Sequence, residues 1–189
     1  ESYDFCAVRE CRYVPYNNSG NESPEELKHM HGTTAEDVTK YMTMGANALI
    51  NRLKTEDKES REIMTLPGMP QYRTIRRIIG ESEFVGTEDD AKPENSVGSF
   101  NDFRKPGRHF QLPYTTLYNK AVPNLYAAGR IISAKDDGWH ITRVIPVAAF
   151  TGEVAGTAAA LCIKTHTDAT TLDIPYLQNT LKAAGVLFE

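Results

Sequence analysis

The side chains with chemistry to offer lie in two runs. The first is 73–80, RTIRRIIG, where Arg73, Arg76 and Arg77 crowd a β-favouring stretch. A guanidinium presents a planar fork of donors that grips a carboxylate at two points. One reading puts Arg73 or Arg76 on an anionic substrate. The other makes the run an ion-paired strand crossing a domain boundary, and the residues alone leave both open. The second run, 129–143, holds Gly129, Arg130, Trp139, His140 and Arg143. Histidine ordinarily titrates near neutrality, so His140 is a candidate acid or base, against the plainer reading of a surface or capping residue. Trp139, the single tryptophan, either lines a site or plugs its loop onto the core. Cys6 and Cys11 with His29 and His31 are metal-ligand types, but their spacing fits no standard zinc pattern, so no metal is assigned.

These residues need elements to hold them. The apolar run 125–128, LYAA, reads as a buried strand that ends at Gly129, where the backbone comes close to something. A polar connection, 130–142, leads to a helix that begins at Arg143-Val144-Ile145-Pro146. Proline suits the first turn, where its missing N–H costs nothing. Along that helix Ala149, Gly152, Gly156, Ala159 and Ala160 recur at spacings of three and four. Such a stripe predicts close packing against a sheet or ligand, so a large residue at Gly152 or Gly156 is expected to destabilise. Strand, loop and small-residue helix together bring free backbone N–H groups to a bound group.

The rest of the chain reads as scaffold. Residues 1–32 carry one or two strands and a polar loop. Thr33 and Glu36 fit a capping box for a helix over 33–54, whose packing face is Val38, Tyr41, Met42, Ala46, Leu49, Ile50 and Leu53. Gly45 within that helix marks close packing. A weaker helix is expected over 58–66. The run 73–80 and residues 83–86 read as a hairpin, 87–108 shows no periodicity, and 115–118 reads as a strand. A final helix over 175–184 is capped near Asp173 and ended by Gly185.

Composition bounds the function. The 189 residues suffice to bury a core, and 40% apolar with 24% charged residues is ordinary for a globular protein. A net charge of −4 argues against a nucleic-acid surface, which needs a basic face. No uninterrupted apolar run reads as a membrane span, no signal peptide is visible, and three cysteines do not form a disulfide scaffold. The expected compartment is the cytoplasm.

NLYAAGRIIS followed by GWHITRVIPVAAFTGEVAGTAAAL resembles the C-terminal flavin-binding segment of the FAD-dependent oxidoreductases. The likeness is to a bacterial subgroup with GR after the last sheet strand, then W-x-x-T-R-V-x-P and TGxxAGTAAAL. RTIRRIIG, QLPYTTL and LQNTLKAAG match further elements of that family. Two departures stand out: Glu153, where glutamine is usual, and Thr115, where arginine is common. The resemblance implies FAD as cofactor. It places Gly129 and Arg130 near the ribityl or pyrophosphate and the backbone of Ile145, Pro146, Val147 and Ala148 at the pyrimidine edge. It also implies that Trp139 and Arg143 shape the flavin or substrate site.

None of the 13 glycines has another two positions away, so the G-x-G-x-x-G loop that binds the ADP half is absent. The expected fold is therefore α/β, with an α+β mix: the C-terminal portion of a two-domain FAD/NAD(P)-binding-type flavoprotein, truncated before its Rossmann unit. Residues 1–110 would finish the substrate or cap domain, and 111–189 would return to the FAD domain. The expected partners are the missing N-terminal segment, an unidentified small-molecule substrate, and a second copy through self-association. Two rival readings stand beside this: a non-catalytic docking or substrate-binding module beside a separate flavin subunit, and a plain α/β structural domain.

Overall fold

The computed structural model describes residues 33–55, 57–59, 75–87, 91–102 and 104–188. The expectations for 1–32, for Cys6, Cys11, His29 and His31, for Arg73 and for most of 58–66 lie outside the described residues. The chain divides into two compact units, Glu1–Ile75 and Arg76–Glu189.

In the first unit, helix α1 spans Ala35–Thr55. Its cap lies one residue later than the sequence predicts: the Asp37 amide donates to the Thr34 hydroxyl at 3.2 Å. Aspartate at this third helical position also complements the positive end of the helix dipole. Tyr41 and Gly45 are buried, and Val38, Met42, Ala46, Leu49 and Leu53 are partly buried, as the spacing predicts. Ile50 departs from that face and is exposed.

The second unit contains an antiparallel pair, β1 (Ser96–Asn101) with β2 (His109–Pro113), in register Phe100 to Phe110 and Asn101 to His109. β1 lies inside the stretch that reads as aperiodic. Its serines and Gly98 hide the alternation, and the register shifts between Ser96 and Ser99. Phe100 and Phe110 are buried with Phe84, whose ring meets that of Phe110 edge-on at 5.5 Å. Aromatic burial of this kind supplies much of a small core's stabilisation.

Helices α2 (Asp136–Thr142), α3 (Ile145–Thr165) and α4 (Ile174–Ala183) follow. Pro146 lies in the first turn of α3, as its chemistry requires. Asp173 caps α4 by accepting the Tyr176 amide at 3.0 Å, and Gly185 follows it at φ +95°. The polar connection 130–142 is instead mostly structured. It holds a 3₁₀ turn, Gly129–Ile131, and then α2.

The expected strand at 115–118 is a 3₁₀ turn over Tyr114–Thr116, with the Thr116 hydroxyl donating to Pro113 O at 2.8 Å. That local bond offers the backbone an alternative to a ladder. The expected buried strand 125–128 is an extended segment holding one antiparallel bridge, Tyr126 to Tyr118. Ala127 is buried, but Leu125 is 49% exposed. Nor do 73–80 and 83–86 form a hairpin among the described residues. Ile78 N donates to Ile131 O at 2.9 Å, Ser82 N to Thr115 O at 3.3 Å and Phe84 N to Ser133 O at 2.9 Å. The segment pairs with distant chain: Ile78 bonds to Ile131, and Phe84 bonds to both Ser133 and Lys135.

The packing face of α3 is Val147, Thr151, Val154, Ala158, Leu161 and Cys162. The small-residue stripe is the other face. A side chain built at Gly152 or Gly156 meets nothing within 4 Å, which overturns the expectation of close packing there. Both faces of α3 are apolar, so the spacing alone does not say which one meets the core. For the same reason α3 is, by length and composition, long enough to cross a membrane. Val154 and Ala158 are nonetheless fully buried and belong to the hydrophobic core cluster that includes Phe84, Val97, Leu112 and Leu177.

Candidate functional site

The site is built around the start of α3. Val144 precedes the helix in an extended conformation, and no side chain caps the first turn. The first N–H groups of a helix have no partner within it, and the helix dipole adds positive potential there. Ile145 is 85% exposed and Pro146 is also exposed, so the helix start is open, while Val147 is buried as its anchor.

Gly129 lies against this turn. Its φ of +70° falls in the left-handed region that favours glycine. A side-chain carbon there would sit 3.6 Å from the Ala148 methyl, an ordinary contact, so the backbone angle is what selects glycine. The Gly129 amide donates to the Thr151 hydroxyl at 2.8 Å. Arg130 follows with its side chain exposed. Its carbonyl accepts the Trp139 indole N–H at 2.7 Å.

Trp139 therefore acts as a brace as well as an aromatic face, and it sits on α2 rather than on a loop. α2 itself packs very tightly. A β-carbon at Gly138 would lie 2.4 Å from the Phe84 carbonyl oxygen, and the Gly138 amide donates to Val85 O at 2.6 Å. Above the indole lies the Arg77 guanidinium, 5.8 Å from the ring centroid, within the range of a cation–π attraction. Arg77 also donates to Ile78 O at 3.0 Å and pairs with Glu83. Lys135 meets the same carboxylate at 3.1 Å. The bonds from Lys135 and then Arg77 hold the Glu83 carboxyl below its ordinary range.

His140 and Arg143 form the flank. Arg143 ends α2, and its Nε–H donates to His140 Nδ1 at 3.4 Å. Burial first, then the nearby Arg143 and Arg104 charges, push the His140 pKa down. A second network ties α2 to the β1–β2 connection. Arg104 grips Asp102 at 3.0 Å and Asp137 at 2.8 Å. Burial alone would raise the Asp102 carboxyl, but the Arg104 bonds outweigh it and hold the group low.

The structure thus brings Gly129, Arg130, Trp139, Val147 and Ala148 together, with Ile145 and Pro146 at the open end of the helix. His140 and Arg143 pair beside them. Of the basic run, Arg76 is exposed, whereas Arg77 reaches Trp139. The sequence reading puts Arg73 and Arg76 forward, and nothing in the spacing of the run singles out Arg77. Thr151 was also missed, since a threonine inside a small-residue helix carries no signal of its own.

A family model described as FAD dependent oxidoreductase matches residues 87–181, half of the chain. The chain belongs to the FAD-dependent oxidoreductases. No curated protein and no solved structure matches it. The matched residues of this FAD-dependent oxidoreductase segment run from the β1–β2 pair through α2 and α3 to most of α4, so every element of the site after Arg77 and Glu83 falls within them. Among the described residues no group of three histidine, cysteine or acidic side chains is placed to hold a metal.

Proposed function

We propose that this chain contributes the flavin-ring side of an FAD site, and part of the substrate site, of an FAD-dependent oxidoreductase. The observation that carries this is the open, uncapped first turn of α3 with the left-handed Gly129 beside it. Such a pair offers backbone donors and close approach without side-chain bulk, and so fits a planar cofactor with an electron-rich edge. FAD, when bound, supplies the redox chemistry; the protein supplies position and electrostatics.

In this reading the backbone of Ile145, Pro146, Val147 and Ala148 faces the pyrimidine edge. The dipole of α3 favours negative charge at that place. Gly129 and Arg130 lie toward the ribityl or pyrophosphate portion. Trp139 holds the Arg130 carbonyl, which keeps the 129–131 turn from drifting off the helix start. His140, kept neutral by its surroundings, accepts from Arg143 and aims that guanidinium. Arg143 is then the candidate for substrate or flavin contact, and Arg77 a further cation on the same side. Residues 1–110 serve as the end of the substrate or cap domain and 111–189 as the returning part of the FAD domain. The ADP half of the cofactor is held by a separate N-terminal segment.

A docking module beside a flavin subunit remains the second reading. It is favoured by the exposed face of α3, where Ile145 and Ile163 are 85% and 78% exposed. Titrating FAD into the complete protein and into its Arg143→Ala variant separates the two. Flavin absorbance bands that bleach with a reductant, with kinetics altered by Arg143→Ala, support the enzyme. Unaltered kinetics with lowered stability return Arg143 to scaffold, and absence of bound flavin favours the docking module.

A further inference from the structure

Thr151 is fully buried in the second turn of α3, twenty-two positions from the turn it touches. Its hydroxyl lies 2.9 Å from Val147 O and 3.0 Å from Ala148 O, and it receives the Gly129 N–H at 2.8 Å. A hydroxyl has one proton and two acceptor lone pairs, so these roles are compatible. The proton goes back to the helix, and a lone pair faces the loop. Helical threonines commonly bond back to carbonyls of their own helix, as Thr142 does to Gly138 O at 2.9 Å and Trp139 O at 3.5 Å, and Thr180 to Tyr176 O at 2.9 Å. Thr151 adds a bond to another segment of the chain.

The 129–131 turn therefore has two fixed points. At one end the Gly129 amide is held by Thr151, and at the other the Arg130 carbonyl is held by the Trp139 indole. The second pin involves a group at the surface; the first ends on a fully buried threonine. The left-handed angle at Gly129 needs such a restraint, because glycine samples many conformations at little cost.

We propose that Thr151 is a positioning residue, whose hydroxyl sets Gly129 and Arg130 against the start of α3 and thereby fixes the cofactor-facing backbone. The cofactor clause rests on the function proposed above; the restraint itself does not. Thr151→Val keeps the branched shape and removes the hydroxyl, leaving the Gly129 N–H without its acceptor. Thr151→Ser keeps the hydroxyl and loses only a methyl. Two readouts apply: amide hydrogen exchange at Gly129 in the cofactor-free chain, and FAD affinity of the complete protein by fluorescence titration.

Thr151→Val is expected to speed exchange at Gly129 about tenfold and to weaken FAD binding by a similar factor, the scale of one lost buried hydrogen bond. Thr151→Ser should restore both. Unchanged exchange in Thr151→Val overturns the proposal whatever FAD does, and so does failure of serine to rescue. Faster exchange, rescued by serine, with FAD affinity unmoved, upholds the restraint and overturns the placement of FAD at this turn.

Discussion

His140 is where burial and charge act on one titratable side chain. Its folded pKa lies below the ordinary 6.5, because burial and the Arg143 and Arg104 charges disfavour the imidazolium. A depressed pKa means that the unfolded chain binds the proton more readily. The neutral histidine costs nothing above 6.5, and stability is lost as pH falls from there through the folded value. The carboxyls held low, Glu83 and Asp102, start from ordinary values of 4.5 and 3.8, so their contribution is lost only in more acid solution. Urea midpoints measured between neutrality and pH 5 should therefore fall for the wild-type chain and fall less for His140→Gln. Equal slopes would show that His140 is not the titrating group. Trp139 allows a second test at this scale. Trp139→Phe keeps a ring beneath Arg77 but removes the 2.7 Å bond to Arg130 O. The expected loss of stability is about 1 kcal/mol, the usual net worth of a hydrogen bond. FAD affinity of the complete protein should drop several-fold, and an unchanged affinity would detach Trp139 from the cofactor side.

The glycines of α2 and α3 make opposite predictions at the level of the element. Gly138→Ala forces a methyl to 2.4 Å from a backbone oxygen, so either α2 or the 84–85 segment must move. Overpacking of this kind costs roughly 1–3 kcal/mol. Gly156→Ala meets open space on a helix surface and should stabilise this chain by up to about 1 kcal/mol through helix propensity alone. Thermal or urea melts of the two variants check both signs, and a destabilising Gly156→Ala would mean that the face is covered after all. The same contrast shows what the sequence made legible. Helices α1, α3 and α4 could be read because capping residues, Pro146, Pro175 and the apolar spacing agree. β1 was missed because Ser96, Gly98 and Ser99 carry no alternation, and α2 because its seven residues are too short for a period to show. The candidate residues from Gly129 to Ala148 can be picked out in the sequence. That Arg77 rather than Arg76 meets Trp139, and that Thr151 meets Gly129, depends on contacts between distant segments, which spacing does not encode. The face of α3 that packs was misread for a related reason: small residues permit close approach but do not compel it.

On the scale of the whole molecule, α3 is the pivot. One side carries Val147, Val154, Ala158 and Leu161 into the core of the second unit. The other presents Ile145, Ala149, Gly152, Gly156, Ala160 and Ile163 outward. We expect this exposed apolar stripe to be a contact surface, since its small residues would let a partner backbone come near. We expect the 189-residue chain to fold, since its second unit encloses its own core. We also expect it to hold FAD poorly. In the proposed function the open helix start and Gly129 serve one end of the cofactor, while the other end requires a glycine-rich loop that no spacing in this chain provides. Binding of a ligand this large is spread along its length, and each ~1.4 kcal/mol withheld weakens it tenfold. Purified alone, the chain should be colourless, show no turnover, and sediment partly as a dimer or larger species. Adding a polypeptide that carries the glycine loop should convert it to a single yellow complex. Gly156→Leu should then block that conversion while leaving the chain's own melt nearly unmoved, because the added bulk meets nothing within the chain. A yellow, active monomer without the added segment would overturn the division of the cofactor site. A yellow complex formed equally well by Gly156→Leu would move the contact off α3.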